Sequence, residues 1–275
     1  MSGTLTLVGT PIGNLSDLSP RAVEALKGCD LVAAEDTRVT LRLLNHFGIK
    51  KPLVSYYDPI KAHRGPQICE RLEAGENVAL VSDAGMPAIS DPGEDLVALC
   101  VARGIPVTVV PGPTAVATAV ALAGLPGGRF VFEGFLPPNK KIRRERLEEL
   151  QNERRLIVLY EAPHKLSATL DELLAALGDR RIALARELTK LHEEVLRTTL
   201  SQAAERYRRE EPRGEFVLVI EGAPKREETV DPKQAAAAAR ALMAKGLSPS
   251  EAAKQAAAGT GLKKGDVYRE LIKGE

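Results

Sequence analysis

Three four-residue apolar runs each stop at a loop of glycines and prolines: Leu5-Thr6-Leu7-Val8, Val78-Ala79-Leu80-Val81 and Val107-Thr108-Val109-Val110. The loops read Gly9-Thr10-Pro11-Ile12-Gly13-Asn14, then residues 82–93, then Pro111-Gly112-Pro113-Thr114. Glycine lets backbone come close to a ligand, and proline fixes a loop's shape in advance. In open α/β sheets, ligands sit beyond the carboxyl ends of the strands. Three such loops after three strands predict one pocket for a small molecule, held largely by main chain.

The rest of the first half alternates in the same way. Strands are predicted at 4–8, 31–34, 53–55, 78–81 and 107–110, with helices at 20–27, 38–47, 66–73, 94–102 and 114–123. Ser19 is placed to cap the first helix and Pro20 to open it. This alternation implies a mostly parallel sheet. An apolar stretch at 130–133 leads to 134–139, which reads as a linker, and then to a basic helix at 140–152. Beyond it the spacing is mixed. Strands are predicted at 156–160, 182–186, 195–199 and 216–220, with helices at 168–177 and 201–210, which suggests an α+β layer with antiparallel pairing. The domains expected are 1–134 and 135–222, a polar linker 223–230, and an alanine-rich tail 231–275. Helices at 232–245, 249–258 and 263–272, with Gly259-Thr260-Gly261 between the last two, give the tail the outline of a helix-turn-helix.

Bulk properties exclude several classes. A net charge of +1 over 275 residues is not that of a globally basic protein, although the tail holds three more cations than anions. Tryptophan is absent and aromatics are 4%, a poor basis for base stacking on an aromatic platform. Cys29, Cys69 and Cys100 are too scattered for a disulfide framework and, with four scattered histidines, for zinc. No metal is expected. Neither a signal peptide nor a membrane span is recognisable, so a cytoplasmic protein is expected.

Several motifs are similar to one family. Residues 7–15 with Ala34-Glu35-Asp36-Thr37-Arg38, residues 81–93, residues 110–115, and Phe132-Glu133-Gly134-Phe135-Leu136-Pro137 carry the likeness. Tyr160-Glu161-Ala162-Pro163-His164, Arg186-Glu187-Leu188-Thr189-Lys190 and Arg213-Gly214-Glu215-Phe216 extend it. Together they resemble the ribosomal RNA small subunit methyltransferase I family, of the tetrapyrrole methylase (class III methyltransferase) fold. The resemblance implies two α/β domains with a cleft between them, a small C-terminal helical domain, and S-adenosylmethionine in the cleft of a homodimer. It implies 2′-O-methylation of a cytidine ribose in the decoding region of small-subunit ribosomal RNA, in free RNA or in the small subunit. Where the family often has Glu-Ser-Pro-His-Arg, this chain has Glu161-Ala162-Pro163-His164-Lys165, which leaves that motif's role open.

On this resemblance the cofactor contacts are Pro11, Gly13, Ser82, Asp83, Ala84, Gly85, Ile89, Thr114, Ala115, Tyr160 and Leu188. Glu35, Asp36 and Arg38 form the substrate-side cluster: Asp36 or Glu35 as a proton acceptor and Arg38 on a phosphate, or an Asp36–Arg38 pair that holds the loop. Asp91 suits a helix N-cap. Glu133 either reaches the cleft or is structural, Tyr56 and Tyr57 either line the RNA side or are buried, and Glu187 pairs with Lys190. Lys140, Lys141, Arg143, Arg144 and Arg146 are candidate phosphate contacts, and so are Lys263 and Lys264 in the tail. Rival readings are a methylase of a small tetrapyrrole precursor, a nicotinamide dehydrogenase using Asp30 or Glu35, and a non-catalytic nucleic-acid-binding protein acting through its tail. Pro11 weakens the dehydrogenase by removing an amide that a pyrophosphate would use.

Overall fold

A computed structural model describes residues 2–224, 231–258 and 260–273. Its first sheet is built from β1 (Leu5–Val8), β2 (Leu31–Ala34), β3 (Leu53–Ser55), β4 (Val78–Val81) and β5 (Val107–Val110), in the order β3-β2-β4-β1-β5. All four pairings are parallel, as the alternation with helices predicts. The helices are α1 (Pro20–Gly28), α2 (Thr37–His46), α3 (Lys61–Glu73), α4 (Glu94–Ala102) and α5 (Ala115–Ala123). Alternate strand residues feed opposite cores. Leu5, Ala33 and Leu80 pack with Ile68 and Cys69 of α3 and Leu96 of α4. Val8, Val32 and Val81 pack with Leu26 of α1 and Leu44 of α2. Ser19 caps α1 through the Ala22 amide, and Thr114 caps α5 through the Ala117 amide.

The second sheet joins β6 (Phe130–Phe135), β7 (Leu156–Glu161), β8 (Arg181–Arg186), β9 (Glu194–Thr199) and β10 (Phe216–Ile220), in the order β6-β7-β10-β8-β9. Only β6 and β7 run parallel. Helices α6 (Lys140–Leu150), α7 (Pro163–Leu177) and α8 (Leu200–Arg209) pack on one face. The other face is covered by α5, with Ile12 from the first loop: Val116, Ala119 and Ala123 meet Val158, Ala183, Ala185 and Val219. Residues 1–223 therefore form one compact unit.

Three boundaries differ from expectation. Gly134 and Phe135 end β6 rather than open a linker. Helix α3 starts at Lys61 with Pro66 inside it, where Pro66 was expected at the start. Helix α7 starts at Pro163, whose fixed φ and missing N–H suit the first helical position.

The second unit contains α9 (Pro232–Met243), α10 (Pro249–Ala257) and α11 (Lys264–Ile272). Its core is mostly alanine (Ala235, Ala236, Ala239, Ala252 and Ala253) with Val267 and Leu271. The Ser248 hydroxyl caps α10 by accepting from the Glu251 amide, and it donates to the Glu251 carboxylate. Residues 225–230 of the expected linker, Gly259 of the expected break and the last two residues of the tail lie outside the described residues.

Candidate active site

Because β1, β2, β4 and β5 are parallel, the loops that follow them gather at one edge of the sheet. The first two loops are laced together. The Thr10 and Gly85 backbones exchange hydrogen bonds of 2.8 and 3.2 Å, and the buried Thr10 hydroxyl donates to the Ser82 and Gly85 carbonyls. The first and third loops touch back to back. A Cβ on Gly9 would lie 2.6 Å from the Gly112 Cα, so neither position has room for a side chain.

These loops border a cleft of about 520 Å³ whose far wall is the second sheet. Ala84, Gly85, Met86, Ile89, Ser90 and Asp91 line it from the second loop, and Thr114, Ala115 and Val116 from the start of α5. Tyr160 to His164, Ala185, Leu188, Lys190 and Glu215 to Val217 line it from the second sheet and its connections. Seven of the expected cofactor contacts thus face one space: Ala84, Gly85, Ile89, Thr114, Ala115, Tyr160 and Leu188. Pro11, Gly13, Ser82 and Asp83 do not line it: Pro11 and Ser82 are buried, and Gly13 and Asp83 are exposed. A Cβ on Gly13 would meet Lys190 at 2.5 Å, so this glycine serves the contact between the first loop and the β8–β9 connection.

Backbone strain clusters at the same place. Among non-glycine residues, left-handed φ occurs at Ala88 (64°), Glu187 (51°) and Thr189 (65°), one in the second loop and two flanking Leu188. Such conformations persist where surrounding contacts over-determine them, as at ligand sites. The Glu187 carboxylate accepts from the Glu215 amide and from Lys190 Nζ, each at 3.0 Å, which holds the Leu188 turn against β10. The expected Glu187–Lys190 pair is therefore present.

The acidic residues divide in two groups. Asp36 caps α2 and is bidentate to Arg38, whose hydrogen bonds hold its carboxyl down at about 2. Burial, with Asp91 nearby, pushes Glu35 up, and burial also raises Asp83 and Asp91. Asp91 does not cap α4, whose N-cap is Gly93. Its carboxyl instead faces the cleft near the Ser82 hydroxyl. A carboxyl whose folded pKa is raised stabilises the fold below its ordinary pKa, and that contribution is lost as pH rises through the raised value. Asp91→Asn should therefore raise the Tm at pH 7, with the advantage vanishing towards about pH 4. Thermal melts across that range test this.

Other expected residues are placed as follows. Glu133 pairs with Arg146 on α6 at 3.5 Å, which is the structural alternative. Tyr56 is buried, whereas Tyr57 is exposed. On α6, Lys140, Lys141 and Arg144 are exposed, and Arg146 also pairs with Glu149. Arg143 departs from the expectation of a phosphate contact. Its side chain is 13% exposed, and its guanidinium pairs with Glu172 and donates to the Thr169 hydroxyl at 2.7 Å. Thr169 donates in turn to the buried Glu161 at 2.5 Å, and Glu161 also accepts from the Ala162 amide at the cleft wall. Helical spacing carries the signal: Arg143, Leu147 and Leu150 fall at i, i+4 and i+7, on the buried stripe. In the tail, Lys263 is the N-cap of α11, and Lys264 reaches Ser250.

Comparison with known proteins agrees with this geometry. Residues 4–204 match the family of Tetrapyrrole (Corrin/Porphyrin) Methylases. A Ribosomal RNA small subunit methyltransferase I from Synechocystis is 48% identical over 97% of this chain and 96% of its own length. One from Halalkalibacterium halodurans is 45% identical over 97% and 93%. The chain belongs to the ribosomal RNA small subunit methyltransferase I family. A Thermotoga maritima member, 49% identical, matches 80% of this chain and 99% of its own, leaving unmatched here a portion the size of the helical unit. Among solved structures, the methyltransferase CobJ aligns with a TM-score of 0.62 at 20% identity, over 81% of this chain and 95% of its own. A uroporphyrin-III C-methyltransferase from Thermus thermophilus, complexed with S-adenosylhomocysteine, aligns at 0.57 and 18%, over 80% and 97%. At such identities these neighbours show the fold.

The family implies S-adenosylmethionine, and the cleft fits it. A volume near 520 Å³ is in the range of small-molecule sites. The glycine turns offer backbone, Ile89, Val116 and Leu188 offer apolar surface, and Asp91 offers a carboxylate to a cationic ligand. Among the described residues no group of three or more His, Cys, Asp or Glu side chains could hold a metal, and no helix is long and apolar enough to cross a membrane.

Proposed function

We propose that the protein transfers a methyl group from S-adenosylmethionine to the ribose 2′-oxygen of a cytidine in the decoding region of small-subunit ribosomal RNA. The observation that carries this reading is the largely apolar cleft between the two sheets, bordered by the loops after β4 and β5, in a chain 48% identical to a protein of that family name. The bound cofactor supplies an electrophilic methyl on a positively charged sulfur. Asp91 provides a counter-charge, and the loops at 9–14, 82–93 and 111–115 hold the ligand's orientation. Orientation is worth roughly 7–11 kcal/mol in favourable cases, against about 10²–10⁴-fold for a general base. Positioning is therefore the main task of these loops.

Asp36, held at about 2 by Arg38, is a weak base at neutral pH. Glu35, raised by burial beside Asp91, is the better proton acceptor. The Asp36–Arg38 pair shapes the loop, and the Arg38 side chain, 86% exposed, remains open to a phosphate. The exposed cations of α6 and of the helical unit, including Lys263 and Lys264, are further RNA contacts. The shorter Thermotoga maritima relative supports treating the helical unit as accessory. Since β6 belongs to the second sheet, we move the lobe boundary expected at 134 to just before Phe130, with the second lobe running to 222, and expect a cytoplasmic homodimer acting on ribosomal RNA or the small subunit. Light scattering on purified protein reads the oligomeric state.

The deciding experiment offers radiolabelled S-adenosylmethionine with small ribosomal subunits, free ribosomal RNA and a tetrapyrrole precursor. Label should enter RNA at a nucleotide whose ribose resists alkaline cleavage. Glu35→Gln should lower kcat by 10²-fold or more and abolish its rise with pH. Label in the tetrapyrrole alone would refute the reading.

A further inference from the structure

Phe135 is a large apolar side chain that the fold leaves 58% exposed at the cleft. Strand pairing explains how it comes to be there. Up to Phe132, β6 alternates regularly beside β7: Val131 pairs with Ile157 and faces the α6–α7 core, whereas Phe132 pairs with Val158 and faces the opposite core. Unbroken alternation would turn Phe135 towards α6 and α7. Instead the register shifts between Phe132 and Gly134, so Glu133 is an extra residue and Gly134 takes a left-handed φ of 62°. Phe135 then pairs with Tyr160 and comes out on the cleft side. Bulges beside active sites commonly re-aim a side chain in this way.

The ring is also held in place. Tyr160 stands edge-to-face with Phe132 at 5.0 Å and with Phe135 at 5.6 Å between centroids. Such contacts orient an aromatic ring beyond simple area burial. Five residues after Phe135, α6 begins with the exposed Lys140 and Lys141. An apolar ring face next to two cations matches a nucleotide, whose base is flat and apolar on its faces and whose phosphate is anionic.

We propose that Phe135 is the stacking platform for the base of the RNA nucleotide whose ribose is methylated, with the phosphate flanking that nucleotide held at the start of α6. This rests on the function proposed above and adds the group that recognises the base. Unpaired bases are typically bound by stacking on aromatic side chains, and one such contact is worth roughly 5- to 150-fold in binding. The bulge places one of the chain's five phenylalanines where a base can use it.

The test measures methylation kinetics on RNA, and S-adenosylmethionine binding by calorimetry, for the full chain and its Phe135→Ala, Phe135→Leu and Phe135→Tyr variants. Phe135→Ala should raise KM for RNA roughly 5- to 150-fold and leave the cofactor Kd within twofold. Phe135→Leu, apolar but unable to stack, should behave like alanine, and Phe135→Tyr should stay near the unsubstituted protein. An unchanged KM for RNA overturns the proposal. So does a rise in cofactor Kd matching the loss of activity, which would make the ring a cofactor contact. If the unsubstituted chain methylates no RNA, the function proposed above falls and this inference with it.

Discussion

Gly9→Ala is expected to lower methyl transfer by about a hundredfold. The added methyl would sit 2.6 Å from the Gly112 Cα and 2.7 Å from Met86 Sδ. The sulfur is at the end of a flexible side chain and can move, but the Gly112 backbone cannot yield without shifting its loop. Gly112→Ala meets the same wall from the other side, with the Gly9 Cα at 2.8 Å. Forcing atoms into a packed site costs about 1–3 kcal/mol, and a misplacement near 1 Å can cost about 10²-fold in rate. Both variants should therefore melt several degrees lower and bind S-adenosylmethionine far more weakly. Gly48→Ala and Gly104→Ala are the controls. They occupy left-handed helix ends with open space around them and should lose only stability. Calorimetry and single-turnover rates separate the two classes.

Arg143→Glu should cost on the order of 2 kcal/mol of stability: Arg143 is mostly buried but Glu172 is 46% exposed, so the pair is only partly buried, and a hydrogen bond to a charged group is worth roughly 1.5–3 kcal/mol. It would put a carboxylate against Glu172 and strip Thr169 of the donor that faces it, while Thr169 still serves Glu161. Lys140→Glu with Arg144→Glu should leave the melting temperature nearly unchanged, because both side chains are exposed. If each meets a phosphate, this double variant should reduce the salt dependence of RNA binding by about 1.4 in log–log slope, at 0.7 per single-strand contact. Thermal melts and a salt titration on one RNA distinguish the outcomes. A stable, folded Arg143→Glu protein with weakened RNA binding would contradict the assignment of Arg143 to the core.

The contrast between Arg143 and Arg144 shows where composition stops being informative. Both sit in one run of five cations and one anion. Helical phase separates them, because only Arg143 shares the stripe of Leu147 and Leu150. The parallel sheet was legible from local signals: short apolar strands, loops of glycine and proline, and caps such as Ser19. The convergence of the loops is legible for the same reason, whereas the individual contacts come from the resemblance; seven of those eleven residues line one cleft, and Pro11, Gly13, Ser82 and Asp83 do not. Asp91 was read as a cap because an Asp-Pro-Gly triplet resembles one, but Gly93 at a φ of 143° opens α4 instead. Phe135 has no role legible in the sequence, because the bulge that turns it exists only in the pairing of β6 with β7, which the fold sets. Lys190 and Glu215 come to the cleft through the packing of α5 on β8 and β10, a contact no local pattern announces.

That packing also governs how substrates come and go. Helix α5 leaves the first sheet and buries Val116, Ala119 and Ala123 in the second, together with Ile12. Swinging the halves apart on a hinge would tear a continuous greasy seam and expose it to water. Such a movement is too expensive to accompany every catalytic cycle. Exchange of spent donor for fresh must go through the rim instead. At that rim Ile89 is 60% exposed, just beyond the part of the second loop that Thr10 ties down at Ser82 and Gly85. The frame is fixed, and the way in lies along its edge.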